Sequence, residues 1–184
     1  MLTALVRNWW MMAVRGSLAL VFGLVLLLSP RLTIDKLLLL FGAYALLDGI
    51  WAIVAARRAS PNLLGAWPIA LGGAVSVGIG LMAIGWPFLP QRVVQLIILW
   101  GLVVGGLEIF AASSTPRVTA RHWLLGSGGA WTLFLAVMVM ALPHGDVETV
   151  VRTLGIYALI FGLLVVLVAS VFRRDMGRGS AALT

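Results

Sequence analysis

Hydrophobic positions along this chain fall into long runs separated by short polar breaks. A membrane-spanning helix needs about 20 predominantly apolar residues, at a rise of about 1.5 Å each across a hydrocarbon core of about 30 Å. Six runs meet that length: 9–29, 37–56, 64–86, 93–112, 123–142 and 153–172. The first is interrupted by Arg15, the second by Asp48, and the fourth near its end by Glu108; residues 59–91 hold no charge at all. The breaks carry turn chemistry. Ser29-Pro30, Trp86-Pro87 with Pro90, and Leu142-Pro143 mark one side, while Ala59-Ser60-Pro61-Asn62 and Ser113-Ser114-Thr115-Pro116 mark the other. The pattern predicts an all-α, polytopic membrane protein with six transmembrane helices. Residues 1–184 form a single transmembrane domain, and a short Gly- and Ala-rich tail, 173–184, is expected to be disordered. Met1–Ser29 has the positive start of a signal peptide. Trp9-Trp10, Arg15 and Pro30 fit cleavage poorly, so the first span is expected to be retained.

The punctuation repeats. Trp10, Trp67 and Trp123 recur at spacings of 57 and 56; Gly16, Gly73 and Gly129 each follow a Trp by six, and Pro30, Pro87 and Pro143 each follow a Gly by fourteen. Gly42, Gly101 and Gly155 then follow the prolines by 12, 14 and 12. The chain reads as three copies of one helical hairpin, approximately 9–56, 64–112 and 123–172. The Trp of each copy suits the headgroup layer, the Pro ends the first helix, and the glycines are places where backbones can approach closely. Three like copies predict a bundle of pseudo-threefold character.

Composition agrees with the pattern: 62% of the 184 residues are hydrophobic and 10% charged, against about 25% charged in soluble domains. The net charge of +7 is spread thinly between apolar runs with no basic, aromatic-interleaved stripe, which excludes nucleic acid as a partner. Its distribution reads as topology instead. Arg7, Arg57, Arg58, Arg117, Arg121, Arg173, Arg174 and Arg178 fall on one side of the predicted spans, against Arg31, Lys36, Arg92 and Arg152 on the other. By the positive-inside rule both termini face the cytoplasm. With no cysteine, disulfides and thiolate sites are excluded.

The first hairpin reads Arg15-Gly16, Phe22-Gly23, Pro30, then Phe41-Gly42-Ala43-Tyr44-Ala45-Leu46-Leu47-Asp48-Gly49-Ile50. This resembles the HdeD family of bacterial acid-resistance membrane proteins, over roughly residues 9–172. The resemblance implies a six-helix protein of the bacterial inner (plasma) membrane associated with acid stress. It supplies neither a catalytic residue nor a transported substrate.

An ionisable side chain at membrane depth costs about 2.5–3.5 kcal/mol on insertion scales, so Arg15, Asp48 and Glu108 are the candidate functional residues. Arg15 lies as far before the first hairpin's turn as Asp48 lies after it, so the two share a depth. That predicts an intramembrane ion pair fixing the hairpin's register; passage of a proton or ion, and snorkelling of Arg15 to the interface, are the other readings. Glu108, a candidate buried acid, stands where the first copy has Gly49. It is expected near the interface, paired with Arg117, Arg121 or the Arg57-Arg58 dipeptide. His144-x-Asp146-x-Glu148 offers too few ligands for a metal site, and reads as an external loop that could respond to pH.

No nucleophile elbow, zinc-protease motif or phosphate loop is present, so enzymatic activity is not expected and no cofactor is called for. Ser17, Ser76, Ser127 and Thr132 read as hydroxyls bonded to their own helix backbones, and Trp131 as part of a lipid-facing surface. Two function classes remain: a structural or interaction protein supporting acid or envelope stress tolerance, and a small proton- or ion-linked channel or transporter. The lipid bilayer is the first partner; self-association and docking with other membrane proteins are both open to its glycine-rich faces.

Overall fold

The computed structural model describes residues 9–29, 33–59, 66–85, 92–114, 120–141 and 147–181. Among them are six helices and no strand: α1 (Trp9–Leu28), α2 (Ile34–Ala59), α3 (Trp67–Gly85), α4 (Val93–Ser113), α5 (Ala120–Met140) and α6 (Val147–Ala181). Five have the length and hydropathy to cross a membrane; in α5 the described apolar stretch is Gly126–Met140. The chain is an all-α integral membrane protein. Its outer surface agrees, with Val21, Leu28, Leu81, Phe134 and Leu163 all exposed, as helices solvated by lipid require.

The helices stop where the backbone demands it. α1 ends two residues before Pro30, α3 two before Pro87 and α5 three before Pro143, because a proline ring disfavours helical geometry in the residue preceding it. Pro68 sits in the first turn of α3, where its missing N–H costs nothing. The tail departs from expectation: α6 continues to Ala181. Residues 172–181 contain no proline, and arginines near a helix C-terminus oppose the macrodipole favourably.

The tightest helix pairs are α1 with α6, α2 with α3, and α4 with α5, while the hairpin partners α1–α2 and α5–α6 touch much less. The repeated sequence unit and the packing unit therefore differ. The second helix of each copy packs against the first helix of the next, and α6 closes the ring on α1. Glycine makes this possible. A Cβ at Gly49 would lie 2.6 Å from the Gly73 carbonyl oxygen, and one at Gly73 would lie 2.8 Å from that of Gly49. Gly16 with Gly162 and Gly105 with Gly129 make the corresponding contacts in the other two seams. One heptad further along, Gly42 meets Gly80 and Gly23 meets Gly155, while in the third seam Gly101, four residues from Gly105, meets Ala136, seven from Gly129. A seven-residue repeat keeps such a seam facing its partner along the helix.

Along its axis the bundle has two unlike halves. The buried apolar cluster comprises Phe22 and Leu26 of α1, Leu37 and Phe41 of α2, Ile79 of α3, Ile97 and Trp100 of α4, Leu135 and Val139 of α5, and Leu154 of α6. All lie in the half remote from Trp9. At its border Phe22 stacks on Tyr44 at 4.6 Å, and Trp100 meets Phe41 edge-on at 5.6 Å. Ser76 does not bond its own helix there; it accepts the Trp100 indole N–H at 2.9 Å, whereas Thr132 donates to the Gly128 carbonyl. Replacing Ser76 with alanine strands that indole N–H and should cost about 1–3 kcal/mol, read as a lower unfolding midpoint in detergent.

Candidate functional site

Inside the ring that the glycine seams close, α1, α2 and α4 each present a charged side chain at one level, about 9 Å along α1 from Trp9 at the helical rise. There the Arg15 guanidinium forks. Its Nε donates to Asp48 Oδ1 at 2.9 Å, and Nη2 donates to Glu108 Oε1 at 2.5 Å. Asp48 is 2% exposed and Glu108 6%, so both carboxylates are inside the bundle, and a buried acid persists only where a cation compensates it. Arginine suits the role because its rigid planar fork serves two carboxylates at once. Glu108 thus lies deeper than the interfacial place its sequence position indicated, and it takes Arg15 as its partner. Two acids to one base leave the cluster one negative charge in excess when all three are ionised.

Each of the three is unique to its copy of the repeat. At the place of Arg15 the other copies carry Gly72 and Gly128; Glu108 stands three residues past the seam glycine Gly105, where the other copies carry Ala52, three past Gly49, and Val165, three past Gly162, and not a seam glycine as the spacing from the prolines indicated. With no side chains at Gly72 and Gly128 to mirror Arg15, a cavity of about 340 Å³ opens beside the cluster. All six helices contribute to it. From the triad it extends towards the Trp9 end, reaching Met11 on α1, Ala55 on α2, Pro68 on α3 and Val168 on α6. Arg15, Asp48 and Glu108 stand where it meets the apolar half. The side chain of Arg15 is 25% exposed, and it lines this cavity while its guanidinium lies 5.9 Å from the Phe161 ring.

Trp131 also lines the cavity, and its indole nitrogen is buried, contrary to the lipid-facing position its helix suggested. Neither that nitrogen nor Glu108 Oε2 has a hydrogen-bond partner among the described residues. Aromatic and cationic groups gather at the same end. Trp10 meets Trp51 at 5.3 Å, Arg58 lies 4.9 Å over Trp10, and Arg173 lies 5.2 Å over Trp9. The Trp51 indole donates to the Met11 carbonyl at 2.9 Å and ties α2 to α1 above the triad.

Residues 14–85 match the family model of a short repeat of unknown function (DUF308). That repeat is the family of HdeD-like membrane proteins. The match covers α1 from Val14, all of α2 and all of α3, so it holds Arg15, Asp48 and the first complete glycine seam. No curated protein and no solved structure matches the chain.

His144 and Asp146 lie outside the described residues, and Glu148, in the first turn of α6, pairs with Arg152 one helical turn along at 2.5 Å. Among the described residues no group of three His, Cys, Asp or Glu is placed to hold a metal. Gly16, Gly73, Gly129, Gly42, Gly101 and Gly155 all occupy the seams described above. The cavity walls at Trp51, Trp131 and Phe161 escaped the sequence reading, because nothing in an aromatic residue's spacing separates an inward wall from a lipid-facing one.

Proposed function

We propose that the protein is a non-conducting bundle of the bacterial inner membrane that supports acid or envelope stress tolerance. Its termini face the cytoplasm, and it acts through contacts with lipid and other membrane proteins, with no reaction of its own. One observation carries the reading. Beyond the triad the described bundle is filled by Phe22, Phe41, Ile97, Trp100, Val139 and Leu154, whereas ion paths are built from polar groups or broken helices along their length. The likeness to HdeD-type repeats supports the stress role. The cavity ending on two acids favours a second reading, proton- or ion-linked transport.

One pair of measurements decides between them. A deletion strain complemented with the wild-type gene should regain survival under acid challenge. The purified chain in proteoliposomes loaded with a pH-sensitive dye should dissipate a proton gradient no faster than empty vesicles. Flux above that background, abolished by Asp48→Asn, would establish transport and displace the structural reading. Failure to restore survival would remove the stress role.

A further inference from the structure

We propose that the cavity beside the triad is a binding site for a small amphipathic organic cation, a protonated amine on an apolar body. This goes beyond the stress role and does not depend on it. Three independent observations converge. The first is charge: with all three ionised, Arg15, Asp48 and Glu108 carry one excess negative charge, in a setting where an unpaired charge is costly. The second is an unmet acceptor, since Glu108 lines the cavity and its buried Oε2 has no partner among the described residues. An ammonium donor supplies both the missing positive charge and the missing hydrogen bond.

The third is the wall. Met11, Trp51, Trp131 and Phe161 surround the space with sulfur and aromatic surface. Aromatic faces attract organic cations, and apolar walls hold a hydrocarbon body. The same walls argue against a hard inorganic ion, because calcium and magnesium need six or more oxygen ligands. Two carboxylates already engaged by one guanidinium cannot supply them. A volume of about 340 Å³ is at the small end of ligand sites, which fits an aryl-alkyl amine better than a lipid.

The test uses the full chain in nanodiscs, with radiolabelled phenethylamine as probe and phenethyl alcohol as its neutral counterpart, both followed by equilibrium dialysis. Saturable 1:1 binding of the amine is expected, with the alcohol weaker by roughly tenfold or more. Glu108→Gln should weaken the amine by a similar factor. Gly72→Leu should abolish binding while leaving the triad intact, because a Cβ at Gly72 meets only Leu107, at 3.8 Å, and the added branch enters the cavity. Thermal midpoints of both variants near the wild-type value confirm that each is folded. Equal binding of amine and alcohol, or amine binding unchanged by either substitution, overturns the proposal.

Discussion

Arg15→Met should destabilise the folded bundle by about 3–5 kcal/mol, the usual cost of removing one partner from a buried ionic cluster. The effect is large because a single guanidinium serves both carboxylates: without it, Asp48 at 2% and Glu108 at 6% exposure face each other's field with no cation between them. Arg15→Lys should recover only part of the loss, since an ammonium is a point donor that cannot reproduce the Nε and Nη2 fork. The decisive comparison is the neutral triple variant Arg15→Met, Asp48→Asn, Glu108→Gln. Replacing a whole buried ion cluster with neutral groups is often harmless or stabilising, so the triple variant should return to near the wild-type midpoint. Unfolding of each variant by SDS in mixed micelles supplies the free energies. A single Arg15→Met variant within about 0.5 kcal/mol of wild type would show that the triad contributes nothing to the fold.

Much of this arrangement could be read from the chain, and the part that could not has a clear cause. Span number, hairpin repeat and proline stops follow from local pattern, because a bilayer leaves the backbone no alternative to closed helices. The shared depth of Arg15 and Asp48 follows from counting outward from one turn. Glu108 was harder, because its partner lies 93 residues away on a helix that α4 reaches only through the ring. Yet a signal existed. Glu108 stands three residues after the seam glycine Gly105, as Ala52 stands three after Gly49 and Val165 three after Gly162. Aligning the copies on Gly105 rather than Gly101 puts Glu108 level with two residues that line the same cavity. What the repeat does not encode is which neighbour each helix chooses. Both helices of a hairpin carry glycine faces, and only ring closure turns them towards the adjoining copies.

That choice of neighbour gives the second large effect, and it is graded. Gly73→Ala places a methyl group 2.8 Å from both the Gly49 carbonyl oxygen and Ile53 Cγ1. Backbone cannot yield as a flexible side chain can, so α2 and α3 must separate, at a cost of about 1–3 kcal/mol for overpacking. Gly16→Ala and Gly129→Ala should behave alike, since their new methyls meet the carbonyls of Gly162 at 3.0 Å and Gly105 at 2.7 Å. Gly101→Ala should cost less. Its closest contact is the Ala136 methyl at 3.0 Å, and the nearest backbone oxygen, that of Thr132, is 3.3 Å away. Gly78→Ala and Gly106→Ala meet nothing within 4 Å, and should be neutral or stabilising by up to about 1 kcal/mol through helix propensity alone. If hairpins rather than the seams between copies were the packing units, this order would collapse. Gly73 and Gly78 lie on one helix only five residues apart, so equal unfolding midpoints for their alanine variants would refute the ring.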